Sequence, residues 1–161
     1  MIVSTINGLP AHVLLVHAVV VLVPLAALLA VLAALWPTAR RRIGVVLPGL
    51  TLVCLILVPI TTSAGEWLER HVPDNSYVHR HAELGDGLLI WVFLLFLLTA
   101  VFWLLDHIGS RSVRLGEVAA RPVVRPLVSI LMVAIAVVAV VQVIRIGDSG
   151  AKAAWHGGFR H

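Results

Sequence analysis

The chain has 161 residues, 60% of them apolar and only 12% charged, and its mean hydropathy is +1.03. A soluble domain of this size needs roughly a quarter of its residues charged to cover its surface, so these values exclude one and point to a single integral membrane domain over residues 1–161. The formal net charge of +4 lies in short arginine-bearing links without interleaved aromatics, which excludes a nucleic-acid surface and suits anionic lipid.

Four apolar runs predict transmembrane helices over about residues 11–35, 43–63, 84–106 and 127–146. Each approaches or exceeds the roughly 20 residues that cross about 30 Å of hydrocarbon. Four such helices with short connections imply an all-α, integral membrane four-helix bundle. The first run lacks a basic segment before it and is too long for a signal peptide, so it is expected to be retained. Arg40, Arg41 and Arg42 lie in the first link, and Arg111, Arg114, Arg121 and Arg125 in the third. With Asp106 and Glu117 these give the linking side a net charge of +5, against −1 on the other side. By the positive-inside rule both links are cytoplasmic and both termini extracytoplasmic, the pattern of a multi-pass protein in a bacterial cytoplasmic membrane. A chain rich in arginine, alanine and valine and poor in lysine also suggests a high-GC bacterium.

The first helix begins after the turn-like Asn7-Gly8-Leu9-Pro10, with proline near its first position. His12 lies at its mouth and His17 deeper. Five residues at 100° each set the two imidazoles about 140° apart, so they do not share one stripe. His17 and Pro24 lie within about 20° of one face, where a proline kink would make room for a ligand. The second run leaves the apolar core through Thr61-Thr62-Ser63, with Glu66 four residues after Thr62 and Trp67 in the interfacial belt. Cys54 sits within that run as a small apolar filler.

The third helix is expected to start before its apolar core, capped by Asp74, Asn75 or Ser76. Running to Asp106, it would be about 46 Å long and would project outward. Its projecting part carries His79, His81, Glu83 and Asp86. His79 and His81 are about 200° apart round the helix, so only one faces the bundle. His81 shares a face with Gly85, whose missing side chain would let a flat ligand approach. The fourth helix brings Gln142 and Arg145 to its outer end. A turn and a short interfacial helix over about 149–156 then lead to His156 and His161 in a glycine-rich tail. Seven of the eight histidines thus belong to the outer side, His107 being the exception.

The stretches Gly8-Leu9-Pro10-Ala11-His12 leading to Val16-His17, Ala64-Gly65-Glu66-Trp67-Leu68, His81-Ala82-Glu83-Leu84-Gly85 and Arg145-Ile146-Gly147-Asp148-Ser149-Gly150-Ala151-Lys152 carry a resemblance. In that order they resemble a family of bacterial four-helix membrane proteins catalogued as domain of unknown function 2231. The family commonly has proline after the first histidine, where this chain has Val13. The resemblance implies a four-span protein whose shared positions include His12, His17 and His81, and it implies no activity.

Three readings of the outer cluster follow from ligand chemistry. In the first, His17 and His81 ligate a b-type haem, Gly85 gives clearance and Arg145 meets the propionates, for electron exchange with a quinol or outer redox partner. In the second, His12, His17, Glu66, His81 and Asp86 supply ligands to a divalent metal, zinc above others. In the third, no cofactor is bound, and a proton-responsive polar cluster regulates a membrane partner subunit or a small transport pathway, which with four spans would call for an oligomer or partner. No HExxH, GxSxG or nucleophile–base spacing is present, so no catalytic residue is assigned.

Overall fold

The computed structural model describes residues 5–6, 9–72, 76–107 and 122–155. The expected cap residues Asp74 and Asn75, the link residues Arg111, Arg114, Glu117 and Arg121, and His156 and His161 lie outside them.

The fold is all-α, apart from a two-residue antiparallel ladder in which Thr5–Ile6 (β1) pairs with Leu9–Pro10 (β2). Pro10 has non-helical dihedrals and leads directly into α1, Ala11–Leu35. Trp36 is extended, as the residue before a proline prefers, and Pro37 opens the short α2, Pro37–Ile43, at its first turn. Gly44 ends α2 at φ +48°, a backbone conformation that L side chains rarely adopt. Then come α3, Val46–Glu69; α4, Ser76–Asp86; α5, Leu88–His107; and α6, Val124–Trp155. Among the described residues, four helical stretches are long and apolar enough to cross a membrane: Ala11–Leu35, Val46–Glu69, Ser76–His107 and Val124–Trp155. Their outer faces stay apolar: Val21 is 62% exposed and Ile130 66%. Helices apolar on all sides suit a lipid surround.

Two details differ from the sequence expectation. The third helix is interrupted at Gly87, and Gln142 Nε2 donates to Leu84 O at 3.0 Å beside that break. A side chain from α6 thus takes up a carbonyl that the interruption leaves short of a partner. Among the described residues, no separate interfacial helix stands where the sequence leads one to expect it, over 149–156. Instead α6 continues unbroken to Trp155, supported by Lys152 bonding Asp148 at i,i+4 (2.7 Å) and by packing against α4.

Helix α1 packs against α3 and α6, and α5 packs against the same two, so α1 and α5 stand diagonally. The buried residues repeat. Val19, Val23, Ala26, Ala30 and Ala33 of α1 each match a buried residue 69 positions later: Leu88, Val92, Leu95, Thr99 and Phe102. All six buried residues of α6 follow a buried residue of α3 by 85: Leu47/Met132, Thr51/Ala136, Cys54/Ala139, Val58/Val143, Thr61/Ile146 and Ala64/Ser149. The alternating steps of four and three are a heptad seam, which by itself leaves the register open by sevens. The histidine end removes that freedom, because His12 and His81 are also 69 apart. The bundle is thus two helical hairpins whose buried positions correspond one to one over these stretches. Small buried residues on α1 (Ala26, Ala30, Ala33) answer large ones on α5 (Leu95, Phe102), which keeps the core dense.

A pair of cross-braced histidines

His12 opens α1 and turns inward onto α3. Its Nδ1 lies 3.0 Å from Thr61 O, and its ring rests on Gly65, where an added Cβ would come within 3.0 Å of ring atoms Cε1 and Nδ1. His81, on α4, makes the equivalent approach to α6. Its Nδ1 lies 3.1 Å from Ile146 O, and a Cβ on Gly150 would come within 2.9 Å of its Cε1. In both cases the carbonyl comes from the residue four before the glycine, so one face of one helical turn receives the ring. The two sites differ at one position. Ser149 Oγ, 3.1 Å from His81 Nδ1, stands where the other half has Ala64.

A carbonyl oxygen only accepts, so the hydrogen in each His–carbonyl bond sits on Nδ1. In the neutral ring Nε2 is then left with its lone pair. The two ring centroids are 6.1 Å apart with planes at 83°.

His17 and His81 are not brought together. His17 is exposed, and its Nδ1 turns back to Val13 O on its own helix. The reason is angular: with His12 on the inner stripe, the position five residues on falls on the far side. Gly85 is half-buried, and a Cβ there would meet only Thr62 Cγ2 at 3.9 Å, so space remains beside it. Arg145, Glu66 and Asp86 are exposed. Arg145 and Glu66 each neighbour a residue that faces the seam, Ile146 and Gly65, and so point about 100° away from it. His79 pairs with Glu69 at 2.8 Å on the surface, leaving the inward position to His81. His71 bonds Trp67 O and stacks on the Trp67 ring. Among the described residues no group of three or more His, Cys, Asp or Glu side chains gathers as a metal site.

Thr61, Gly65, Ile146, Ser149 and Gly150 were not singled out from the sequence as ring-holding residues. Equal spacing is the signal that marks them: 69 between the histidines and 85 between the glycines that seat them.

No curated protein and no solved structure matches the chain significantly. A family model described as "Predicted membrane protein (DUF2231)" matches residues 8–161 and so takes in both hairpins and both histidines. With four membrane-length helices and that match over nearly its whole length, the chain belongs to the DUF2231 family of predicted membrane proteins.

Proposed function

We propose that the histidine end of the bundle holds a b-type haem between His12 and His81, and that the protein exchanges single electrons at the extracytoplasmic face. The observation that carries this reading is the ring pair: two imidazoles from opposite hairpins, each pinned through Nδ1, with centroids 6.1 Å apart. The ring nitrogen that each imidazole leaves free of its Nδ1 bond would hold the iron, one from each hairpin. Pinning Nδ1 on a carbonyl is how ligating histidines are held in one tautomer and one orientation.

The number of donors favours haem over zinc. A structural zinc site takes four protein ligands and a catalytic one three, whereas a macrocycle brings four nitrogens of its own and needs only an axial pair. His17, Glu66 and Asp86, the other ligands that a zinc site would draw on, are exposed. Bound haem would supply a one-electron couple. The chain's own part would be to fix both rings through Thr61 O and Ile146 O, with Gly85 keeping open space nearby. The apolar cluster of Val19, Val58, Leu88 and Val143 keeps water from the buried side.

A second reading has an observation of its own. Each ring already bonds and packs against the neighbouring helix of its own hairpin, so the pair also serves as two braces in a cofactor-free scaffold for a partner subunit. Purified protein in mild detergent separates the readings. A Soret band and a reduced-minus-oxidised α-band with about one iron per chain support haem. Stoichiometric zinc without those bands, or a colourless metal-free protein, contradicts it.

A further inference from the structure

His17 and Asp86 are left unused by the histidine pair, and they occupy equivalent places. His17 lies five residues beyond His12 and Asp86 five beyond His81, so each stands about 7.5 Å inward of its ring along the helix. Both are exposed. The apolar residues that follow them match by the same 69 positions: Val20 and Leu89, Val21 and Ile90, and Leu28 and Leu97 are all exposed. Because α1 and α5 stand diagonally, these two faces look outward on opposite sides of the bundle. Asp86 is out of place on such a face. Ionisable groups of membrane helices are usually turned to the bundle interior or to a partner, and aspartate is too short to reach the headgroups as lysine and arginine do. Glu69, Glu83 and Asp148 are paired within the chain, with His79, Arg80 and Lys152, and Glu66 adjoins the interfacial Trp67. Asp86 makes no ion pair among the described residues. It also lies deeper, two residues inward of Leu84, whose carbonyl meets Gln142 ten positions before Lys152 on α6.

We propose that the α1 face of one copy of the chain docks on the α5 face of a second, with His17 meeting the second copy's Asp86. The Nδ1–H of His17 donates to Val13 O, which leaves Nε2 free for the contact. One proton is shared across it. As imidazolium and carboxylate, or as imidazole and carboxylic acid, the pair is neutral as a whole, so no net charge is left facing lipid. The 69-residue correspondence puts both groups at one depth, so neither copy has to shift along the membrane normal. The two faces differ, which makes the contact heterologous: it runs from copy to copy, as a ring where the rotation closes. The contact needs no cofactor and does not rest on the haem reading.

Cysteine pairing in native membranes tests the contact. Val21 and Ile90 are exposed and equivalent, and each lies one helical turn inward of His17 or Asp86. Cells producing a Val21→Cys chain together with a differently tagged Ile90→Cys chain are treated with copper–phenanthroline. A disulfide between unlike tags is expected, with little between like tags. The chain carrying Cys54 alone should give none, because that thiol is buried. Asp86→Asn keeps the shape and removes the charge, and should lower the cross-linked yield about tenfold, the scale of a polar contact between membrane helices. Exchanging the two residues, His17→Asp with Asp86→His, should restore it. Size-exclusion profiles in detergent confirm that each variant is folded, and Asp86→Asn decides the matter if the exchanged chain is not. Equal pairing of like and unlike tags indicates another contact and overturns the proposal. So does the absence of any cross-link, or a yield that Asp86→Asn leaves unchanged.

Discussion

Gly65 and Gly150 are required by what lies on them. Replacing either with alanine adds a methyl group within about 3 Å of an imidazole that is itself tied to a backbone carbonyl. The ring has to give way, and its hydrogen bond goes with it. Overpacking of this kind costs about 1–3 kcal/mol, more than the roughly 1 kcal/mol that alanine gains over glycine inside a helix. Gly147 provides the contrast, since a Cβ there meets nothing within 4 Å. Thermal unfolding in detergent should therefore show Gly150→Ala and Gly65→Ala destabilised and Gly147→Ala neutral or stabilised. Equal effects at Gly147 and Gly150 would mean that the ring does not rest where it is described. At this scale the sequence was only half legible. Helical angles forbid His12 and His17, or His79 and His81, from facing inward together, and that much held. Which member of the first pair turns in is decided by contacts 49 residues away in the chain, at Thr61, and no local pattern carries that information.

Among the elements, the interruption at Gly87 is held by one side chain. Gln142 bonds Leu84 O from the neighbouring helix, and both residues are half-buried. Gln142→Met keeps the volume and removes the donor. It should cost about 1–3 kcal/mol, the penalty of a carbonyl left unmatched, and should speed amide exchange around Gly87 relative to the centre of α5. Unchanged stability and exchange would show that the carbonyl finds another partner. The four membrane-length helices could be read from apolar length alone, because length is what a bilayer dictates. The break at Gly87 and the continuation of α6 past Gly147 and Gly150 could not. Glycine weakens a helix without deciding whether a neighbour compensates, and here Gln142 and His81 are the neighbours that do.

The whole molecule is a pair of hairpins whose equivalent histidines, His12 and His81, lie with ring centroids 6.1 Å apart. The repeat was hidden in sequence because the buried residues match in position and not in identity: Ala30 stands for Thr99, and Ala33 for Phe102. Orientation is testable with single cysteines, since Cys54 is buried and gives little background. An impermeant maleimide applied to intact cells should label Glu83→Cys, at the histidine end, and reach Arg42→Cys only after permeabilisation. The reverse pattern would put the histidines on the cytoplasmic side and contradict the arginine-based orientation. The haem assignment itself meets its most direct test in one set of reduced-minus-oxidised spectra, recorded side by side on the parent protein and on His12→Ala, His81→Ala and His17→Ala. An α-band present in the parent and in His17→Ala, and lost in both of the others, is the predicted result. A band that survives removal of His12 or of His81, or that is absent from the parent, contradicts axial ligation by this pair.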